Sequence, residues 1–126
     1  MYTLAVSRAF EARHFLVGGD WGAENEPHVH AYRVEVRLSA DALDQHGYIV
    51  DLEDLEALLD RIVHHYQHRL LNDLPEFAGF NPSIEHFSRC FFVHLMEGLN
   101  HEPFAEVEVR LWENADAWAS YRERFR

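Results

Sequence analysis

His28 and His30 stand one residue apart in a run that alternates apolar and polar side chains, so in a strand both imidazoles project from one face. The usual strand rise separates them by about 7 Å along the backbone. His14 closes an earlier alternating run on its own apolar parity, and hairpin pairing of the two runs would gather the three rings at one end of a sheet. Three neutral histidines with no fourth protein ligand describe a catalytic zinc site, whose remaining position is left to water or substrate. Taken residue by residue, the alternative is a set of core or surface histidines. Glu113 shares parity with Val107, Val109 and Leu111 and should point toward the buried face, where a carboxylate needs a partner such as an arginine.

The elements that must position these groups can be read from periodicity. Tyr2 to His14 alternates as a long strand, and Gly18 to Pro27 is a turn-rich loop. His28 to Leu38 reads as a second strand with one polar face carrying Arg33, Glu35 and Arg37. Asp51 caps a helix whose apolar positions Leu52, Leu55, Leu58, Leu59, Ile62, Val63 and Tyr66 keep helical spacing, and which is expected to end near Leu70 or Asn72. Asn81-Pro82 supplies a cap and first-turn proline for a second helix, which Gly98 closes. Ala105 to Leu111 gives a third strand, and Trp118 to Phe125 a short fourth. The order ββααββ leaves no room for alternating crossovers, so the fold is expected to be α+β: an antiparallel four-stranded sheet with two helices on one face. Residues 1–126 are expected to form a single domain.

Composition narrows the chemistry. The chain has 22 acidic and 11 basic residues and a formal charge of −11, which repels a phosphate backbone, so nucleic acid is not an expected partner. All the basic residues are arginines. Schiff-base chemistry on lysine and a Gly-Lys-Ser phosphate loop are therefore excluded. No apolar run reaches the roughly 20 residues that span a bilayer, so no membrane partner is expected and a cytoplasmic location is. The single cysteine, Cys90, rules out an internal disulfide and reads as a small buried hydrophobe in the second helix. His64, His65 and His68 fall within one helical turn and read as a wet helix face, as do His46, Arg122, Glu123, Arg124 and Arg126 as surface.

The wider pattern carries a resemblance. Phe10-Glu11-Ala12-Arg13-His14, His28-Val29-His30 opening a strand, Val50-Asp51-Leu52 opening a helix, Leu71-Asn72-Asp73 after it, Asn81-Pro82-Ser83-Ile84-Glu85 opening the next, and Leu111-Trp112-Glu113 on a late strand follow in order over nearly the whole chain. This pattern resembles the 6-pyruvoyltetrahydropterin synthase and 6-carboxytetrahydropterin synthase family. The resemblance implies the tunnelling fold, whose subunits join edge to edge into trimeric barrels that stack as hexamers, with small-molecule pterin sites at subunit boundaries. It implies Zn2+ held by His14, His28 and His30, and Glu113 anchoring the pterin by accepting from its 2-amino group and ring nitrogen.

Two departures set the expected reaction. Where such family members carry a cysteine four residues before the first histidine of the pair, this chain has Glu24, and where they pair aspartate with histidine near the end of the first helix it reads Gln67-His68. His68 remains as the proton-relay histidine, but Gln67 carries no charge to hold it. Glu24, beside a zinc that polarises a substrate hydroxyl, can act as general base on that hydroxyl, with Glu26 the second candidate and a solvated acidic loop the alternative for both. The expected enzyme is thus a zinc-dependent lyase acting on the side chain of a reduced neopterin, giving 6-hydroxymethyl-dihydropterin. The alternatives are a 6-pyruvoyl- or 6-carboxy-tetrahydropterin synthase acting on dihydroneopterin triphosphate, and a non-catalytic paralogue that binds zinc and pterin.

Overall fold

The computed structural model describes residues 1–125; Arg126, read above as surface, lies outside the described residues. Strand β1 (Tyr2–His14) pairs antiparallel along its whole length with β2 (His28–Ala40), Tyr2 lying opposite Ala40 and His14 opposite His28. Strand β2 continues the sheet to β3 (Glu106–Trp112), and β3 pairs with β4 (Trp118–Arg124), all antiparallel in the order β1-β2-β3-β4. Helices α1 (Leu52–Tyr66) and α2 (Ile84–Gly98) lie between β2 and β3 in the chain. The alternation of the strands sends Phe10, Ala12, Tyr32, Val34, Val36, Leu38, Val107, Val109 and Leu111 into one core with the apolar stripes of both helices. The architecture is therefore the α+β, ββααββ arrangement with both helices on one face.

The opposite face carries charge. Glu35 lies across from Arg110, Arg37 from Glu108, and Glu106 from Arg124, so unlike charges oppose one another along the sheet. Among the described residues, no helix is long and apolar enough to cross a membrane.

Two element ends differ from the sequence expectation, for tertiary reasons. Helix α1 stops at Tyr66, short of Leu70, because His68 adopts the left-handed region (φ 62°) and turns the chain toward β1. The His68 amide then donates to the Glu11 carbonyl at 2.7 Å, and the Arg13 amide donates to the Arg69 carbonyl at 2.9 Å. The cap of α2 is Ser83, whose hydroxyl accepts from the His86 amide at 3.1 Å, in place of Asn81. Asn81 is engaged elsewhere: its side chain accepts from the Val17 amide at 2.8 Å and donates to the Val17 carbonyl at 3.1 Å. Asn72 makes the same two-pronged contact with Phe15, at 2.9 and 3.0 Å. Asn25 closes the loop from inside by donating to the carbonyls of Leu16 and Gly19 and accepting from the Trp21 amide. Three asparagines thus fix the segment that follows β1.

The connection between the helices contains two short 3-10 turns, Leu71–Asp73 and Pro75–Phe77. In the second, Glu76 accepts from the Tyr66 hydroxyl at 2.8 Å and from His94 Nε2 at 2.7 Å. Burial acts to raise its carboxyl, but hydrogen bonds from His94, Tyr66 and His65 outweigh that effect and hold it at about 2, against an ordinary 4.5. A depressed folded-state value contributes stability that is fully present above the ordinary value and is lost as pH falls from there toward 2. In chelating buffer, Glu76→Gln should therefore be less stable than wild type at neutral pH. The gap between their urea midpoints should narrow as pH is lowered below 4.5; a gap independent of pH would contradict this account.

Candidate active site

Because His14 pairs with His28 across the β1–β2 ladder, and His30 follows on the same parity, the three imidazoles meet on the helix-covered face at one end of the sheet. Their ring centroids lie 4.4 to 4.7 Å apart, and one ligand atom from each falls within 4.8 Å of the others. His28 Nδ1–H donates to the Glu26 carbonyl at 2.9 Å, which leaves Nε2 with the lone pair. His14 Nδ1 is 2.7 Å from the buried Tyr32 hydroxyl, a contact that fixes its ring. The Nε2 atoms of His28 and His30 are buried and have no hydrogen-bond partner among the described residues. Burial, with the neighbouring His30 and His28, holds the His14 imidazole down to about 4, so it is neutral and available as a donor at physiological pH. The partnerless buried nitrogens of His28 and His30, beside the neutral ring of His14, fit a metal ion bound at this point.

Beyond the triad, Tyr32 connects to Glu113. Burial and the Glu113 charge push the Tyr32 phenol upward, so it remains a neutral hydroxyl between that carboxylate and His14. Strand β3 ends at Trp112, which leaves Glu113 half-buried at the rim in place of the buried position expected from parity. The arginine partner considered from sequence is absent: Glu113 makes no hydrogen bond or ion pair with a described residue. It lines a cleft of about 440 Å³ with Tyr32, Trp112 and Asn114. Arg33, which shares the cleft, lies over Trp112 at 4.6 Å, and Arg110 lies over Trp118 at 4.3 Å.

Glu24 sits in a 3-10 turn (Gly22–Asn25), and its carbonyl accepts from the Leu16 amide at 2.9 Å. Its carboxylate is exposed and hydrogen-bonded to no described residue. Glu26 is exposed as well, and it touches the triad through its backbone carbonyl on His28. His68 is not brought to the triad within this chain. It is exposed beside Glu11, Arg13 and Val29, and Val29, lying between His28 and His30, points to the opposite sheet face. The Gln67 side-chain amide donates to His68 Nε2 at 3.2 Å, where an aspartate would accept. Cys90 is buried, and burial together with Glu76 pushes its thiol to about 11, which makes it a packing residue.

The structure also gathers a group that the sequence did not reveal: His65, Glu76 and His94, whose ligand atoms lie within 4.8 Å of one another. A cleft of about 790 Å³ between the start of β1 and residues 43–53 contains none of the candidate residues.

Residues 3–124 match the family model described as 6-pyruvoyl tetrahydropterin synthase. An Archaeoglobus fulgidus protein, provisionally named 6-carboxy-5,6,7,8-tetrahydropterin synthase, is 31% identical over 120 residues, covering 94% of each chain. Among solved structures, the 6-pyruvoyl tetrahydropterin synthase of Caenorhabditis elegans superposes with a TM-score of 0.84 at 21% identity, over 97% of this chain and 95% of that one. The Plasmodium vivax 6-pyruvoyltetrahydropterin synthase, in a variant whose catalytic glutamate is replaced by alanine, gives 0.79 at 17% identity over 98% of both chains. With the ββααββ sheet and the gathered histidines already in view, the match over nearly the whole length places this chain in the 6-pyruvoyl tetrahydropterin synthase family.

Proposed function

We propose that the protein is a zinc-dependent lyase that cleaves the side chain of a reduced neopterin between its first and second carbons, releasing 6-hydroxymethyl-dihydropterin and a two-carbon hydroxyaldehyde. The observation that carries this reading is the triad itself: three gathered imidazoles, with the buried Nε2 atoms of His28 and His30 lacking partners among the described residues. His14, His28 and His30 would hold the zinc. When bound, it supplies Lewis acidity toward a substrate hydroxyl.

The chain's own residues then have distinct tasks. Glu113 offers two carboxylate oxygens to the two adjacent donors of the pterin edge, and its lack of a partner among the described residues supports that role. Glu24 takes the proton from the second side-chain hydroxyl, so that the electrons of the O–H bond form the aldehyde carbonyl. The breaking carbon–carbon pair passes into the pterin ring, and a proton returns to the first side-chain carbon. His68 would reach such a site only from a neighbouring copy, since within one chain it faces the other side of the sheet. That the Plasmodium vivax relative is described with a catalytic glutamate supports a carboxylate base in this family. The 31% identity to a protein named as a 6-carboxy synthase favours a second reading, 6-carboxy product formation from the triphosphate. Glu24 and Gln67 weigh against it. Incubating zinc-loaded protein with dihydroneopterin and, separately, with its triphosphate, followed by mass spectrometry of the products, decides between the two. Hydroxymethyl product from dihydroneopterin is expected, and a carboxylated or pyruvoyl product from the triphosphate would overturn the proposal.

Glu113→Gln places a donor against the pterin's donors. Loss of a charge-assisted acceptor costs about 1.5–3 kcal/mol, so neopterin affinity should fall at least about tenfold by calorimetry. Unchanged affinity would place the ligand elsewhere. Assembly is part of the same proposal, because β1 and β4 are sheet edges whose unpaired backbone groups favour strand addition. Light scattering at micromolar concentration should find a trimer or hexamer, and a monomer would count against a complete site.

A further inference from the structure

Three donors that no local motif connects converge on one point: His65 near the end of α1, Glu76 in the second 3-10 turn, and His94 on α2. His65 Nε2 lies 3.2 Å and His94 Nε2 2.7 Å from the same oxygen, Glu76 Oε2, and the two imidazole centroids are 4.8 Å apart. Two donors each bound to zinc at about 2.0–2.1 Å in tetrahedral geometry stand about 3.4 Å apart, so these side chains are close to the spacing that a shared ion requires. The surroundings hold them in place. The Tyr66 hydroxyl donates to Glu76 Oε2 at 2.8 Å, and His86 Nε2 is 2.9 Å from the Glu76 carbonyl, fixing the backbone of the central residue. A cleft of about 350 Å³, lined by Leu58, Arg61, Ile62, Glu97 and Gly98 as well as both histidines, opens over them and leaves the outer side of an ion to water. All three residues are half-buried, which permits entry from solvent.

We propose that His65, Glu76 and His94 form a second site for a divalent transition metal of the zinc class, separate from His14, His28 and His30 and joining α1, the inter-helix connection and α2. The donor set is two imidazoles and one carboxylate, which suits zinc, cobalt or nickel and is too nitrogen-rich for calcium or magnesium. Binding requires each Nε2 proton to move to Nδ1 or to solvent, because the ion takes the Nε2 electron pair that now holds the proton donated to Glu76. The site stands whether or not the proposed lyase reading does.

The test uses full-length, chelator-stripped protein in which His28→Ala and His30→Ala remove the first triad. Zinc titrated into this variant should bind at about one ion per chain. Nitrogen NMR should show the His65 and His94 imidazoles responding and His64 and His101 unmoved. Adding His94→Ala should weaken binding at least about tenfold. If that variant unfolds by circular dichroism, His65→Gln, at a half-exposed position, carries the same expectation. Saturable binding that survives both changes, a response at other histidines, or no binding at submillimolar zinc would each overturn the proposal.

Discussion

Glu24→Gln is expected to lower side-chain cleavage by roughly 100-fold or more while zinc content and pterin affinity stay near wild type. The substitution keeps the size of the side chain and removes its basicity. It should not disturb the loop, because Glu24 contributes to the fold through its backbone, accepting from the Leu16 amide, while its exposed carboxylate bonds to no described residue. An alcohol is too weak an acid for an unaided carboxylate at neutral pH, so the loss should be large only if Glu24 and the histidine triad act together. Glu26→Gln provides the contrast. What Glu26 gives the triad is a carbonyl oxygen on His28 Nδ1, and glutamine retains that carbonyl. Its turnover should stay within a few-fold of wild type, measured by product formation under saturating substrate. Wild-type protein that binds zinc and neopterin yet cleaves no neopterin would end the lyase reading and leave a binding protein in its place.

The second large effect concerns metal. His28→Ala, made together with His94→Ala so that no ion at the second cluster is counted, should remove about one tightly held zinc per chain by elemental analysis and reduce cleavage to background. The magnitude follows from geometry. Two of the three nitrogens are buried without partners among the described residues, so an ion there would satisfy both, and two imidazoles without the third cannot close the site. Stoichiometric, tightly held zinc in a variant with His14, His28, His30 and His94 all changed to alanine would move the metal assignment elsewhere.

How far the sequence disclosed this arrangement depends on whether the controlling interaction was local. The strands were legible because each buries one parity, and the His14 to His28 pairing is what a hairpin with those two runs must give. Asp51 was legible as a cap because its side chain accepts from Glu53, two residues on. The end of α1 was not legible, since Leu70 and Leu71 continue the helical spacing and only the pairing of residues 68–70 with β1 takes them out of it. Asn81 has the chemistry of a cap, but Val17, 64 residues away, uses it. The same distance effect concealed the cluster of His65, Glu76 and His94. From sequence His65 groups with its helix neighbours His64 and His68, whereas in the fold it turns to residues 11 and 29 positions later. Glu113 was found through its motif, although the half-buried rim position came from where β3 ends.

The paired amide contacts of Asn72 and Asn81 bear on how the protein ages. Slow hydrolysis of an asparagine amide replaces its NH2 by a carboxylate oxygen. At these positions that oxygen would face the Phe15 and Val17 carbonyls, which the amides now meet at 3.0 and 3.1 Å. Each such event would exchange a hydrogen bond for repulsion between two acceptors and loosen the loop carrying Glu24 without altering any residue of the active site. The usual route begins with attack by the backbone nitrogen of the next residue. Pro82 has no N–H to lose, which closes that route at Asn81, while the side chains of Asp73 and Glu26 hinder it at Asn72 and Asn25. The residues that follow the clamps thus protect them, and stored protein should keep its loop for as long as Asn72 and Asn25 remain amides.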